Sequence, residues 1–164
     1  MNRIHLEHVA KAHQVVGQLT LKQKERLVDE IFQKQPNLLA SVLALSRSNV
    51  KIERIDVILN ILLLCFEAVR CAQLRLPVVT EAIQELCLAR IAGRSRFIEG
   101  LSNQSVEQAV NDQVAEHTDK NLLALVFHEL KEHGFSDVRT EQEKLCVLDA
   151  LNLVETIAYV AKDA

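Results

Sequence analysis

The sequence predicts an all-α fold: a compact bundle of seven or eight helices with two long apolar helices, about residues 51–76 and 140–162, near its centre. Three observations carry that prediction. Breakers are scarce, with only Gly17, Gly93, Gly100, Gly134, Pro36 and Pro77, and each falls where helical periodicity pauses. The 49% hydrophobic fraction is ample for a core in a chain of 164 residues, so one domain over 1–164 is expected. Between the breakers, apolar residues recur at three and four positions, the period of a helix burying one stripe.

The elements follow in order. A first helix, about 2–17, sets Leu6, Val9, Ala10, His13 and Val16 on one face. Thr20 suits the N-cap of a second, to about Gln35, with Leu21, Leu27, Val28, Ile31 and Phe32 inward. Pro36 suits the first turn of a short third helix, to about Leu45, because the amide it lacks would be unpaired there. The fourth, about Lys51 to Leu76, is apolar on most sides, leaving a ribbon of Glu53, Asp56, Asn60, Glu67 and Arg70, and Pro77 ends it. Its β-branched residues suit a strand as well, but an unbroken run of this length favours a helix.

A fifth helix, about Val79 to Ala92, turns Ala82, Ile83, Leu86, Cys87 and Ile91 inward. A sixth, about 102–116, is more polar, with Ser102 or Ser105 as cap and a thin stripe of Val106, Ala109, Val110 and Val114 that suits the surface. Thr118 or Asp119 caps a seventh, about Asn121 to His133, which Gly134 stops. The eighth, about Thr140 to Lys162, resembles the fourth, with Asp149, Asn152 and Thr156 as its polar ribbon.

Asn37 to Leu43 matches Asn121 to Phe127 at five of seven positions, and a long apolar helix follows each. Sliding the long helices by 88 positions sets Leu63 on Leu151, Glu67 on Glu155 and Val69 on Ile157. An internal duplication would relate 37–76 to 121–162 by a pseudo-two-fold axis; chance alignment of leucine-rich helices is the competing explanation.

Charge and cysteine content narrow the function classes. A net charge of −3 argues against a strongly basic nucleic-acid binder. Residues 1–98 hold 14 Lys/Arg against 9 Asp/Glu, and residues 99–164 hold 5 against 13, so the halves carry +5 and −8. Unlike signs can pair the halves, promote head-to-tail association, or simply mark two solvated surfaces. Cys65, Cys71, Cys87 and Cys146 stand in apolar runs without a CxxC pair, as reduced core thiols do. With no apolar leader in Met1 to His8 and no run of about 20 apolar residues, a cytoplasmic location without a membrane span is expected.

Motifs for chemistry fail on spacing. His128-Glu-Leu-Lys-Glu-His133 places its histidines five apart, so on one helix the rings diverge by about 140° and cannot share a zinc ion as in HExxH. His5 and His8 are three apart, with no second helical pair to complete a metal set, and His13 reads as a half-buried core histidine. No histidine follows a Glu by three residues, which removes a di-iron bundle, and the glycines of a GxSxG elbow or a phosphate loop are missing. No cofactor or metal is expected, and catalysis is the minority reading.

Two sets of side chains remain as candidates. Asp56, Asn60, Glu67, Arg70 and Glu155 would line a polar groove for a ligand or partner; a structural ion pair between Glu67 and Arg70 competes with that reading. Arg70, Arg75, Arg90, Arg94 and Arg96 would make a phosphate-binding patch, weakened by five Phe, one Tyr and no Trp for base stacking. The expected function is a non-catalytic regulatory protein working through protein–protein contacts, with a homodimer expected. The alternatives are a nucleic-acid regulator using the arginines, or a small-ligand or enzymatic bundle around Glu67, Arg70 and Glu155.

Overall fold

The computed structural model describes residues 3–99, 103–135 and 137–163, without side chains at 95–99 and 103–107. The capping role expected of Ser102 or Ser105, the stripe position Val106 and the Arg96 side chain lie outside the described residues. Eight α-helices follow one another: α1 (Leu6–Gly17), α2 (Leu21–Lys34), α3 (Pro36–Leu43), α4 (Ile52–Cys71), α5 (Glu81–Glu99), α6 (Asn103–Glu116), α7 (Lys120–Glu132) and α8 (Glu141–Val160). A 3-10 segment, Ala44–Ser48, continues α3. Among the described residues the only extended pairing is an antiparallel bridge between Arg75 and Lys162, which ties the chain after α4 to the end of α8.

Helices α4 and α8 pack on each other at the centre, flanked by α1 on α4 and α5 on α8. From Ile55 to Val69, α4 contributes ten buried apolar side chains, and one buried cluster runs from Ile4 to Val160. Local sequence explains the starts. Thr20 and Thr140 accept the Gln23 and Glu143 amides as N-caps, and Pro36 opens α3.

Several expectations are corrected. Helix α4 stops at Cys71, before Pro77 is reached, because Gln73 turns left-handed (φ 55°) and the Leu74 amide donates back to the Val69 carbonyl at 3.2 Å. Helix α5 runs on past Ala92 to Glu99. On α1 the buried set is Val9, Ala12 and Val16, while Leu6, Ala10 and His13 are exposed, since Ile4 ahead of the helix supplies the missing core volume. Leu21 and Phe32 of α2 and Ala82 and Leu86 of α5 also face out, because α2 and α5 each pack along one narrow side. The α8 ribbon turns inward: Asn152 and Thr156 are buried and Asp149 is half-buried, because α5 lies across it.

The two asparagines at matched positions in the halves make matched contacts. Asn37, opening α3, donates its side-chain amide to the Val79 carbonyl at 2.9 Å, two residues before α5. Asn121, opening α7, donates to the Ile4 carbonyl at 2.9 Å, two residues before α1. Each half thus fastens the lead of the other half's first helix, which is the exchange an approximate two-fold axis requires. Asn37→Ala and Asn121→Ala are expected to cost similar amounts in urea unfolding, about 1 kcal/mol each; a strongly unequal pair of losses would oppose the equivalence.

Candidate functional site

Of the two sets of side chains expected to form sites, Glu67, Arg70, Arg94 and Glu155 are drawn into intramolecular ion pairs. Glu67, 6% exposed, meets Arg70 at 3.3 Å, and Arg70 reaches across to Glu30 of α2 at 2.5 Å while lying 5.2 Å over the Phe66 ring. The hydrogen bond from Lys34 and the Arg70 guanidinium hold the Glu30 carboxyl below its usual range. Glu155 of α8 belongs to a different cluster, with Arg94 at 3.2 Å and His117 at 3.1 Å. The Asp119 amide donates to His117 Nδ1, which leaves the ring proton on Nε2 to face Glu155. Burial pushes the Glu155 carboxyl up, but His117 and Arg94 together outweigh it and hold the group below the carboxylate range. Asp56 is exposed and Asn60 half-buried elsewhere on α4.

Of the arginines, three have side-chain partners. Arg70 and Arg94 are ion-paired, Arg90 lies 5.7 Å over the Tyr159 ring, and Arg75 joins the bridge to Lys162 through its backbone. Histidines take local duties. His8 Nδ1 accepts the His5 amide at 3.0 Å and closes the start of α1. His13, expected in the core, instead meets the buried Glu129 at 3.1 Å, and His133 approaches the same carboxylate at 3.4 Å. Among the described residues no group of three His, Cys, Asp or Glu side chains is arranged to hold a metal ion, and no helix is long and apolar enough to cross a membrane. All four cysteines are free; burial, reinforced by Glu129, pushes the Cys65 thiol up to about 12.

A different place has unspent polar capacity. Between α3 with its 3-10 extension, α5 and α8 lies a cleft of about 730 Å³. Leu43, Leu88 and Leu145, 51, 41 and 38% exposed, give it an apolar rim. One end is closed by a ladder of amides: Gln84 donates to the Asn37 carbonyl at 3.0 Å, and Asn152 donates to the Gln84 carbonyl at 3.2 Å. Its floor carries Asp149 and Asn152, one turn apart on α8. Asp149 Oδ2 and Asn152 Oδ1 are buried and receive no hydrogen bond from the protein. Burial pushes the Asp149 carboxyl up to about 6; the nearby Ser41 hydroxyl opposes this only weakly, because it donates its proton to the Leu38 carbonyl at 2.9 Å.

No protein-family model, curated protein or solved structure matches this chain. The cleft is therefore judged on its own chemistry. Two buried acceptors without donors are a standing cost of about 1–3 kcal/mol each, and such atoms are rare in folded proteins. Sequence periodicity sets both residues on the polar ribbon of the last helix. The signal that could have exposed them is the offset of 88 positions between the long helices, which sets Asp149 on Ile61 and Asn152 on Leu64. Both counterparts are fully apolar core residues.

Proposed function

We propose that this protein acts by binding rather than by catalysis, and that it receives a ligand or partner group in the cleft between α3, α5 and α8. The observation carrying the reading is the floor of that cleft, where Asp149 Oδ2 and Asn152 Oδ1 lack donors beneath an apolar rim. A concave site that is mostly apolar with few polar groups is what small-ligand sites present, and about 730 Å³ lies within their usual size. Ser41 and Asp149 share the cleft, but none of its lining residues is a histidine or cysteine to serve as base or nucleophile.

Chemical-shift mapping with a fragment library of acids, amines and neutral aromatics tests it. Hits are expected to converge on Ser41, Leu88, Leu145 and Asp149. Fragments that bind only elsewhere, or not at all, would refute the cleft as the working site.

Self-association remains part of the reading, supported by the +5 and −8 charges of the two halves. Light scattering at low and high salt tests it, and a monodisperse monomer in both would remove it. Nucleic-acid binding draws less support, because two of the five arginines that would carry it, Arg70 and Arg94, already neutralise Glu30, Glu67 and Glu155. The four free thiols support a reducing, cytoplasmic setting.

A further inference from the structure

Resting on the cleft just described, we propose that its ligand is a small organic cation: an ammonium or amidinium group carried on an apolar arm. Three observations converge on that chemistry. The first is what the floor lacks. Asp149 Oδ2 and Asn152 Oδ1 both need donors, Asn152 is only 8% exposed, and the protein provides neither bond. A group with several donors and no acceptor satisfies both oxygens, and positions three apart on a helix stand about 5–6 Å apart at Cβ, within reach of one ammonium or one amidinium fork. Both oxygens are sheltered beneath the surface of the cleft, so side-chain rotations of Asp149 and Asn152 accompany the contact.

The second is charge. Glu81 and Glu85 of α5 line the same cleft as Asp149, against the single guanidinium of Arg47. The local field therefore favours a cation and disfavours a carboxylate or phosphate. The rim of Leu43, Leu88 and Leu145 then covers an apolar arm, as Leu148 does further in.

The third is the comparison between halves. Sliding the long helices by 88 positions sets Ile61 and Leu64, 1% and 2% exposed, on Asp149 and Asn152. On that alignment the first long helix carries apolar core residues where the second carries a carboxylate and an amide. A carboxylate and an amide kept where isoleucine and leucine suffice point to recognition rather than architecture.

The test uses four probes of one size: n-hexylamine and benzamidine as cations, hexanol as the neutral isostere and hexanoate as the anion. Isothermal titration with the full chain, coupled to chemical-shift mapping, should show the two cations binding at Asp149 and Asn152 at least tenfold more tightly than hexanol, with hexanoate weakest. Asp149→Asn should weaken the cations at least tenfold. The pair Asp149→Ile with Asn152→Leu should abolish their binding while the circular dichroism spectrum and unfolding cooperativity persist, since it installs the first half's own residues.

Hexanol binding as tightly as hexylamine would overturn the cation while leaving the cleft as the working site. Cations that bind undiminished to the Ile/Leu variant would overturn it too, as loose attraction to surface carboxylates. A fragment map empty at the cleft would overturn the parent reading along with this one.

Discussion

Replacing Asp149 with asparagine is expected to raise the unfolding free energy by about 2 kcal/mol at pH 7 and by little at pH 4. The reason is the cost of an ionised carboxylate at the floor of the cleft. Burial pushes its folded-state value from 3.8 to about 6, and a difference of that size is linked to about 3 kcal/mol. Asparagine keeps the shape but also needs polar partners, so only part is recovered.

The sign follows from which state holds the proton more tightly. Above about pH 6 the group is ionised in both states and the native state bears the desolvation cost. As the pH falls from about 6 towards 4, the native state takes up a proton before the unfolded state does, and stability rises. Glu30 and Glu155 act oppositely: their folded values lie below 4.5, so their stabilisation is lost as the pH falls through that region. Wild-type stability in urea should therefore peak between about pH 4 and 5 and decline towards neutrality, and Asp149→Asn should flatten that decline. A wild-type curve that is level from pH 4 to 7, or an Asp149→Asn protein less stable at pH 7, would refute the account.

Arg3→Ala is expected to destabilise the protein by about 3–5 kcal/mol, the usual cost of stripping one partner from a buried pair. Arg3 donates to Asp119 Oδ2 at 2.5 Å, to the Ala158 carbonyl at 3.0 Å and to the Ala161 carbonyl. It thereby joins the lead of α1 to the start of α7 and the end of α8. Asp119 has no solvent exposure, and its second oxygen already lacks a donor. Without the guanidinium a charged carboxylate would be left dry and without its partner.

Removing both charges is less damaging than removing one. Asp119 does not cap α7 with its side chain, and its backbone amide to His117 survives any substitution except proline. Arg3→Met with Asp119→Leu should therefore regain more than half of the loss, because apolar replacements of similar volume often match a buried ion pair. Urea unfolding of the two single variants and the double variant checks this as a cycle. An Arg3→Ala loss below about 1 kcal/mol would show that Asp119 is compensated by other means.

The helices themselves were legible in the chain because their causes are local. Thr20, Pro36 and Thr140 start helices through groups within three residues, and the period of α4 and α8 marks both as core elements. The likeness of the Asn37 and Asn121 segments was also visible in the chain, although the contacts that give those asparagines their purpose join Val79 and Ile4 across the fold. Tertiary structure decided where polar side chains end up. Periodicity separates the polar side of a helix from the apolar side, but whether water or another helix covers the polar side depends on residues far away in the chain. Asp149 and Asn152 lie on a polar ribbon by sequence and beneath α5 by packing. Glu30 with Arg70, Arg94 with Glu155 and Arg3 with Asp119 are pairs separated by 40, 61 and 116 positions, and no local rule selects them. Their charges are legible one by one in the chain, and the distances that make them partners exist only after the helices have packed.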